Sequence, residues 1–392
     1  MRSESRLASS CWVAGAASGA GSAWWKLPGR FGGAIWSRYA ARFFPKRSAA
    51  EPILDPAGES DEAVGSEAGG AVRSLVDEML ARRRYALLLR PQLIGNLTDE
   101  QLARTREALA DGMCLVPAGE VALSSAIEAD EDDPQPGRRG PLRVEAYYLD
   151  RNPVTNAEFR HFVVRGGYEQ MAIWDQEIWP AVLDFVDQTG QPGPRFWHNG
   201  RCASGEDNHP VVGVCWYEAA AYARWVGKRL TTDGEWVKAG SWPVAITGRP
   251  LLARRYPWGD AMDRGRANLW GSGPGKTVGV DQFPGGVSVG GVQQLIGNVW
   301  EWTDDDFTLD AEARDSDDTT SIHMKSLRGG AFDTYLDSQA TCHFQSGDLA
   351  LARKHNVGFR AAIGLGDLAL SDGSCEPEAS EELEPSIAET ES

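Results

Sequence analysis

Paired cysteines are missing from this chain. It has six, Cys11, Cys114, Cys202, Cys215, Cys342 and Cys375, widely spaced and with no C-x-x-C pair. That spacing excludes a dense disulfide framework and a zinc knuckle, leaves one or two disulfides open, and favours a reducing, cytoplasmic compartment. Convincing hydrophobic runs are also missing. The uncharged stretch from Leu7 to Trp25 is long enough to span a bilayer but is dominated by Ala, Gly and Ser, so no transmembrane helix is expected. Positive charge is in deficit, with a net charge of −17, which argues against nucleic-acid binding by the whole chain. No repeat of fixed period is visible.

The charge that is present is uneven. Residues 1–50 form a basic, aromatic tail: Arg2, Arg6, Lys26, Arg30, Arg38, Arg42, Lys46 and Arg47 face only Glu4. Three readings stay open for it: a disordered or partner-bound tail, a targeting segment, and a membrane-surface contact. Residues 51–72 read as an acidic, Gly-rich linker, and residues 367–392 as an acidic disordered tail. Between them, helical spacing of Val72, Leu75, Val76, Met79 and Leu80, a break at Pro91, and the capping-box spacing Thr98 to Gln101 predict a short helical hairpin over 73–111.

The main domain is expected over 112–366. Thr155 or Asn156 should cap a helix carrying Phe159 and Phe162, and Val214 to Val226 should form a second. Lys228-Arg229-Leu230 reads as a helix end, Asp233 and Glu235 would sit near the N-terminus of a following helix, and turn signals otherwise dominate to the end. Tryptophan is abundant: eleven of the fifteen lie between Trp174 and Trp302. They anchor a loop-rich core or line a ligand cleft.

Six blocks then occur in order. They are Asn152-Pro153-Val154-Thr155-Asn156, His209-Pro210-Val211-Val212-Gly213, Lys228 to Trp236, Tyr256-Pro257-Trp258-Gly259-Asp260, Gly297-Asn298-Val299-Trp300-Glu301-Trp302, and Leu327-Arg328-Gly329-Gly330-Ala331 with Gly358-Phe359-Arg360. Together they resemble the formylglycine-generating-enzyme, or sulfatase-modifying-factor, family, which is related to the ergothioneine-pathway sulfoxide synthases. The resemblance implies an α+β, elaborated C-type-lectin-like fold with little regular secondary structure, preceded by the helical hairpin. It also implies an oxygen-dependent oxidoreductase.

The implied catalytic positions depart from the family pattern. Counting from the Gly329-Gly330 turn, the two copper-binding cysteines fall on Thr334 and Gln339. Neither is a soft thiolate ligand, so copper is not expected. The synthase branch holds iron with histidines on a preceding helical bundle, and this chain has no histidine before His161. Iron is therefore not expected either. Cys342, His343 and His355 remain as catalytic candidates, with Asp333 or Asp337 beside the imidazoles. The cleft region of the family points to Trp300, Arg328, Asp333, Tyr335, Gln339, Gln345 and Arg360 as ligand contacts.

Calcium is the cofactor the resemblance implies. One site would use Gln294, Gly297, Val299 and Glu301; Gln294 replaces the usual Asp or Asn and lowers the ligand charge. The alternative for Glu301 is a buried carboxylate bonded to backbone N–H groups. A second site would use Asn268 and Leu269, with no acidic partner between Trp270 and Val280. The leading expectation is a diverged family domain that binds a peptide or small ligand without the cysteine pair. The alternatives are an oxygen-dependent non-heme metalloenzyme with a His/carboxylate site, and a structural subunit.

Overall fold

The computed structural model describes residues 75–123, 141–246, 251–307 and 324–370. The expected tail over 1–50, the linker over 51–72 and most of the acidic tail lie outside them. All the described residues belong to the unit Val72–Ser392.

The chain enters through four helical segments rather than a two-helix hairpin: α1 (Leu75–Ala81), α2 (Tyr85–Leu88), α3 (Pro91–Ile94) and α4 (Asp99–Gly112). Pro91 opens α3 instead of only breaking a helix, because a first-turn position needs no N–H. Thr98 and Gln101 form the expected capping box. Tyr85, Ala86, Leu89 and Leu109 are buried with Met113, Ile363 and Leu368, so these helices share a core with the strands that follow.

Ten strands form three sheets among the described residues. β1 (Met113–Val116), β4 (Tyr147–Asp150), β10 (Ala361–Gly364) and β5 (Arg229–Leu230) make one antiparallel sheet in the order β1-β4-β10-β5. β2 (Gly119–Val121) pairs with β3 (Leu142–Val144). The third sheet is β8-β7-β6-β9, from β6 (Trp300–Asp306), β7 (Met324–Arg328), β8 (Gln345–Leu349) and β9 (Val357–Phe359). Its β6–β9 pair is parallel, aligning Glu301 with Gly358.

Around these sheets pack α5 (Asn156–Val164), α6 (Trp179–Val182), α7 (Trp216–Trp225) and α8 (Asp233–Ser241). Thr155 caps α5 through a full capping box with Glu158. Phe159 and Phe162 of α5 meet Tyr222 of α7 at ring separations of 5.3 and 5.9 Å. Trp174, Trp197, Trp216, Trp225 and Trp302 are buried in the same cluster. Two short strands and several 3₁₀ turns connect the larger elements, giving the elaborated C-type-lectin-like α+β fold.

One local expectation is corrected: α7 stops at Trp225, and Arg229–Leu230 is a strand rather than the end of the helix. A further helix, α8, begins where Asp233 and Glu235 were expected near a helix N-terminus, and Thr232 and Glu235 build another capping box there.

Lys228 is buried. Its Nζ donates to Asp150 Oδ1 at 2.6 Å and to Tyr85 Oη at 3.0 Å. Asp150 Oδ2 accepts from the Ala361 backbone N–H. Desolvation opposes the ammonium, but the charge of Asp150 and the Tyr85 hydroxyl outweigh it and raise the Lys228 pKa. One ion pair thus ties α2 to β4 and β10. Lys228→Met leaves Asp150 buried without its counter-charge and should cost about 3–5 kcal/mol. Urea unfolding of the full chain checks this. The double variant Lys228→Met/Asp150→Asn should recover part of the loss, and equal stability of single variant and wild type would refute the assignment.

Candidate functional site

α8 begins with a carboxylate that gathers four elements. Asp233, its first residue, accepts from Thr303 Oγ1 (2.8 Å), Ser326 Oγ (2.8 Å), Arg328 Nε (2.9 Å) and Gln345 Nε2 (2.7 Å). Burial would raise its pKa, but the Arg328 charge and these hydrogen bonds lower it. A carboxylate at a helix N-terminus is also favoured by the aligned peptide dipoles. Arg328 is 1% exposed, and its Nη1 donates to the carbonyl of His343. Arg328 and Gln345, expected as ligand contacts, therefore face inward. They position β7, β8 and the segment after the Gly-Gly turn.

Arg360 is likewise withdrawn. It is fully buried and forks onto Glu301, Nη2 to Oε1 and Nε to Oε2 at 2.7 Å each. Trp236 Nε1 donates to Glu301 Oε2 at 2.8 Å. Remaining Arg360 donors reach the carbonyls of Asp150 and Gln293. Glu301 is a buried carboxylate held by side chains, not by the backbone N–H groups expected.

That arrangement bears on calcium. Gln294 Oε1 accepts from Asn298 Nδ2, and Gln294 Nε2 donates to the carbonyls of Gly279 and Gln282. The backbone N–H of Val299 donates to the Gly297 carbonyl. The charge of Glu301 is already matched by Arg360. A calcium ion needs about six to eight oxygens with net negative charge, and Gln294, Gly297, Val299 and Glu301 do not fit that requirement as arranged. At the second position Asn268 Oδ1 is buried without a hydrogen-bond partner. However, the Leu269 carbonyl accepts from Ser272, and the chain between Trp270 and Val280 carries only Lys276 as charge.

The remaining candidates lie on or beyond the turn after β7. Gly329 has φ 96°, and a Cβ there would stand 2.4 Å from the Leu295 carbonyl oxygen, so only glycine permits this close approach. Thr334, at the first expected cysteine position, is buried and accepts from the Ala331 N–H at 2.8 Å. Gln339, at the second, lies in a 3₁₀ turn over Asp337–Gln339. Cys342 is fully buried and its thiol is pushed up by desolvation, so it stays protonated.

The two histidines have different settings. His343 is half-buried with Nδ1 unpartnered, and desolvation followed by the charges of Arg328 and Arg255 lowers its pKa to about 4. His355 is exposed. Its Nε2 is 3.7 Å from Asp333 Oδ2, and its ring lies between Phe332 (5.8 Å) and Phe196 (6.4 Å). Among the described residues no hydrogen bond or ion pair links His343 to His355 or Asp333. Nor do three His, Cys, Asp or Glu side chains gather into a metal-holding group among them.

The structure instead brings together Asp333, His355, Asn356 and a set of rings. Asn356 Nδ2 donates to both Asp333 oxygens, at 3.0 and 3.1 Å, while Asn356 Oδ1 is buried with no partner. Trp300, paired in register with Val357, turns its ring toward Phe344 at 6.1 Å. Tyr335 is 69% exposed, and Asp337 pairs with Arg264. Asn356, Phe332, Phe344 and Phe196 were not read as site residues. The only signal for them is their position beside the histidines and the turn.

Residues 99–365 match the family model described as the sulfatase-modifying factor enzyme 1-like domain. The chain is 42% identical over 168 residues to the hercynine oxygenase of Mycolicibacterium thermoresistibile, covering 41% of this chain and 36% of that protein. It is 32% identical over 255 residues to the hercynine oxygenase of Mycolicibacterium smegmatis, covering 60% and 57%. The matched part therefore spans roughly a third to just over half the length of these relatives. The formylglycine-generating enzyme of Thermomonospora curvata is 32% identical over 272 residues, covering 61% of this chain and 86% of that one. Among solved structures, PvdO from Pseudomonas aeruginosa overlaps 64% of this chain and 94% of its own, at 19% identity and a TM-score of 0.43.

The His343 ring supplies a pH test. Its folded pKa of about 4 lies below the unfolded value of about 6.5, so folding favours the neutral ring. The stability it contributes is complete above about pH 6.5 and declines as pH falls between about 6.5 and 4. The difference in unfolding free energy between wild type and His343→Gln should shrink over that window by at most about 3 kcal/mol. A pH-independent difference would contradict the assignment.

Proposed function

The chain belongs to the sulfatase-modifying-factor family, and from that premise we propose that its main domain is a diverged member that binds a peptide or small ligand without copper–thiolate chemistry. The observation that carries this reading is Asn356 Oδ1, a buried acceptor without a donor, on the side chain that donates to the Asp333 carboxylate. A buried amide oxygen calls for an N–H partner. An incoming amide or amine supplies one, and the neighbouring carboxylate favours a cationic or N–H-rich group. Trp300 and Phe344 offer apolar area for the ligand's body. His355, with its ring between two phenylalanines, bounds the same surface.

The absence of thiolate chemistry rests on residues. Thr334 and Gln339 occupy the two expected cysteine positions, and the Thr334 hydroxyl is committed to the turn. Cys342 is fully buried and held as the thiol. Arg328, Gln345 and Arg360 support the surface from behind and are not proposed as contacts. Tyr335 and Gln339 remain candidate contacts on its rim. Calcium takes no part in this reading. A protein partner through the basic residues 1–50 fits their charge and aromatic content, and those residues lie outside the described ones.

A second reading is favoured by one observation, the 42% identity to a hercynine oxygenase. In it the domain is part of an oxygen-dependent metalloenzyme, and the neutral His343 imidazole with its free Nδ1 is the candidate ligand.

Elemental analysis of the full chain separates the two. After incubation with Fe(II), Cu(I) or Ca(II) and desalting, substoichiometric iron and copper are expected. Stoichiometric iron or copper that is lost in His343→Ala or His355→Ala would replace the binding reading with the enzymatic one. A tripeptide library screened by saturation-transfer NMR tests the surface directly. Ligands should weaken about tenfold or more in Asn356→Ala and in Trp300→Ala. Hits indifferent to both variants would refute this location.

A further inference from the structure

The C-terminal end of α8 forms a second cavity, built from different residues. Between the turn after β1 and the segment after α8 lies a space of about 190 Å³, walled by Val116, Pro117, Ala118, Trp242, Pro243 and Leu251. Lys238, in the last turn of α8, also lines it and is only 5% exposed.

Its ammonium is unusual. Every other buried cationic side chain in the described core has a partner: Lys228 has Asp150, Lys325 has Asp306, Arg328 has Asp233 and Arg360 has Glu301. Lys238 Nζ makes no hydrogen bond or ion pair with any described residue. Glycine at position 119 makes its room: a Cβ there would stand 2.9 Å from Nζ. Glu120 also lines the cavity but is itself exposed and does not reach the amine. Burial with no counter-charge lowers the pKa of Lys238, which marks a cation short of an anion.

We propose that this cavity binds a small organic carboxylate, with its carboxyl group on Lys238 and its apolar body against Trp242 and Pro243. One cation matches one negative charge, and the carboxylate of Glu120 at the rim disfavours a dianion such as phosphate. The apolar wall selects for a hydrocarbon portion over a fully hydrated inorganic ion. The site is independent of the surface around Asp333 and Asn356, so the failure of either proposal leaves the other standing.

Butyrate, acetate and phosphate are the probes, titrated into the full chain and followed by NMR of isotope-labelled lysine side chains. Butyrate should bind saturably, shift the Lys238 Cε and Nζ signals, and raise the melting temperature. It should bind roughly tenfold tighter than acetate, the effect of about two buried methylenes. Lys238→Met should weaken butyrate about tenfold or more. Should that variant not fold, the Lys238 signals of the wild-type chain give the same answer. Butyrate binding that leaves Lys238 signals unmoved, phosphate binding as tightly as butyrate, or no saturable binding would each overturn the proposal.

Discussion

The buried pair of Glu301 and Arg360 is the interaction on which the rest of the structure depends. It lies where the two larger sheets come closest in sequence, since Phe359 ends one and Ala361 belongs to the other. Glu301 belongs to β6, Arg360 joins β9 to β10, and the same guanidinium reaches carbonyls at Asp150 and Gln293. The indole of Trp236 adds α8. Burying two charges is expensive, and their mutual attraction offsets the cost only when the remaining donors and acceptors are satisfied. Here the guanidinium meets a bidentate partner and backbone oxygens. Loss of register between β6 and β9 would strand both charges. The pair therefore constrains the relative placement of these elements more than it adds net stability.

Asp233 repeats this logic at the first residue of α8, one turn before Trp236. Its four side-chain donors come from β6, β7 and β8. Between them the two carboxylates engage three of the most conspicuous motif residues of the chain: Arg328, Arg360 and Trp236. These side chains are committed to joining elements of the core. Asp333, Asn356 and His355, the residues of the proposed surface, lie beyond the Gly329-Gly330 turn.

That division explains how much was legible in advance. Capping boxes at Thr98, Thr155 and the buried stripe of α7 are local signals, and the helices appear where those signals place them. The order of the six blocks pointed to the fold as a whole. Lys228, by contrast, carries no local sign that it would be buried: its partner, Asp150, is 78 residues away. The inward bonds of Arg328 and Gln345 are equally without local sign, since their partner Asp233 is 95 and 112 residues distant. Long-range polar pairing decides whether a charged motif residue points into a cleft or into the core, and spacing along the chain does not encode it. The rings of Phe196, Phe332 and Phe344 carry no signal in the sequence because a single ring has no periodic signature.

The contrast between satisfied and unsatisfied polar groups therefore discriminates better than motif membership does. Glu301, Arg360, Asp233 and Arg328 are buried and fully engaged. Asn356 Oδ1 and His343 Nδ1 are withdrawn from water without an engaged partner among the described residues, and Lys238, 5% exposed, has no engaged counter-charge among them. Leaving such a group unmade costs on the order of 1–3 kcal/mol, which a ligand of the right polarity can return on binding. Asn356 and His343 both follow the Gly329-Gly330 turn, whereas Lys238 lies in the last turn of α8, away from Asp233 at its start. The rigid hydrogen-bonded core thus separates two places with unmet demand. On the proposed readings, the acceptor beside a carboxylate suits N–H donors, and the buried cation lining the cavity, with Glu120 at its rim, suits a carboxylate. The core carboxylates Asp233 and Glu301 answer neither demand, because Arg328 and Arg360 hold them where they are.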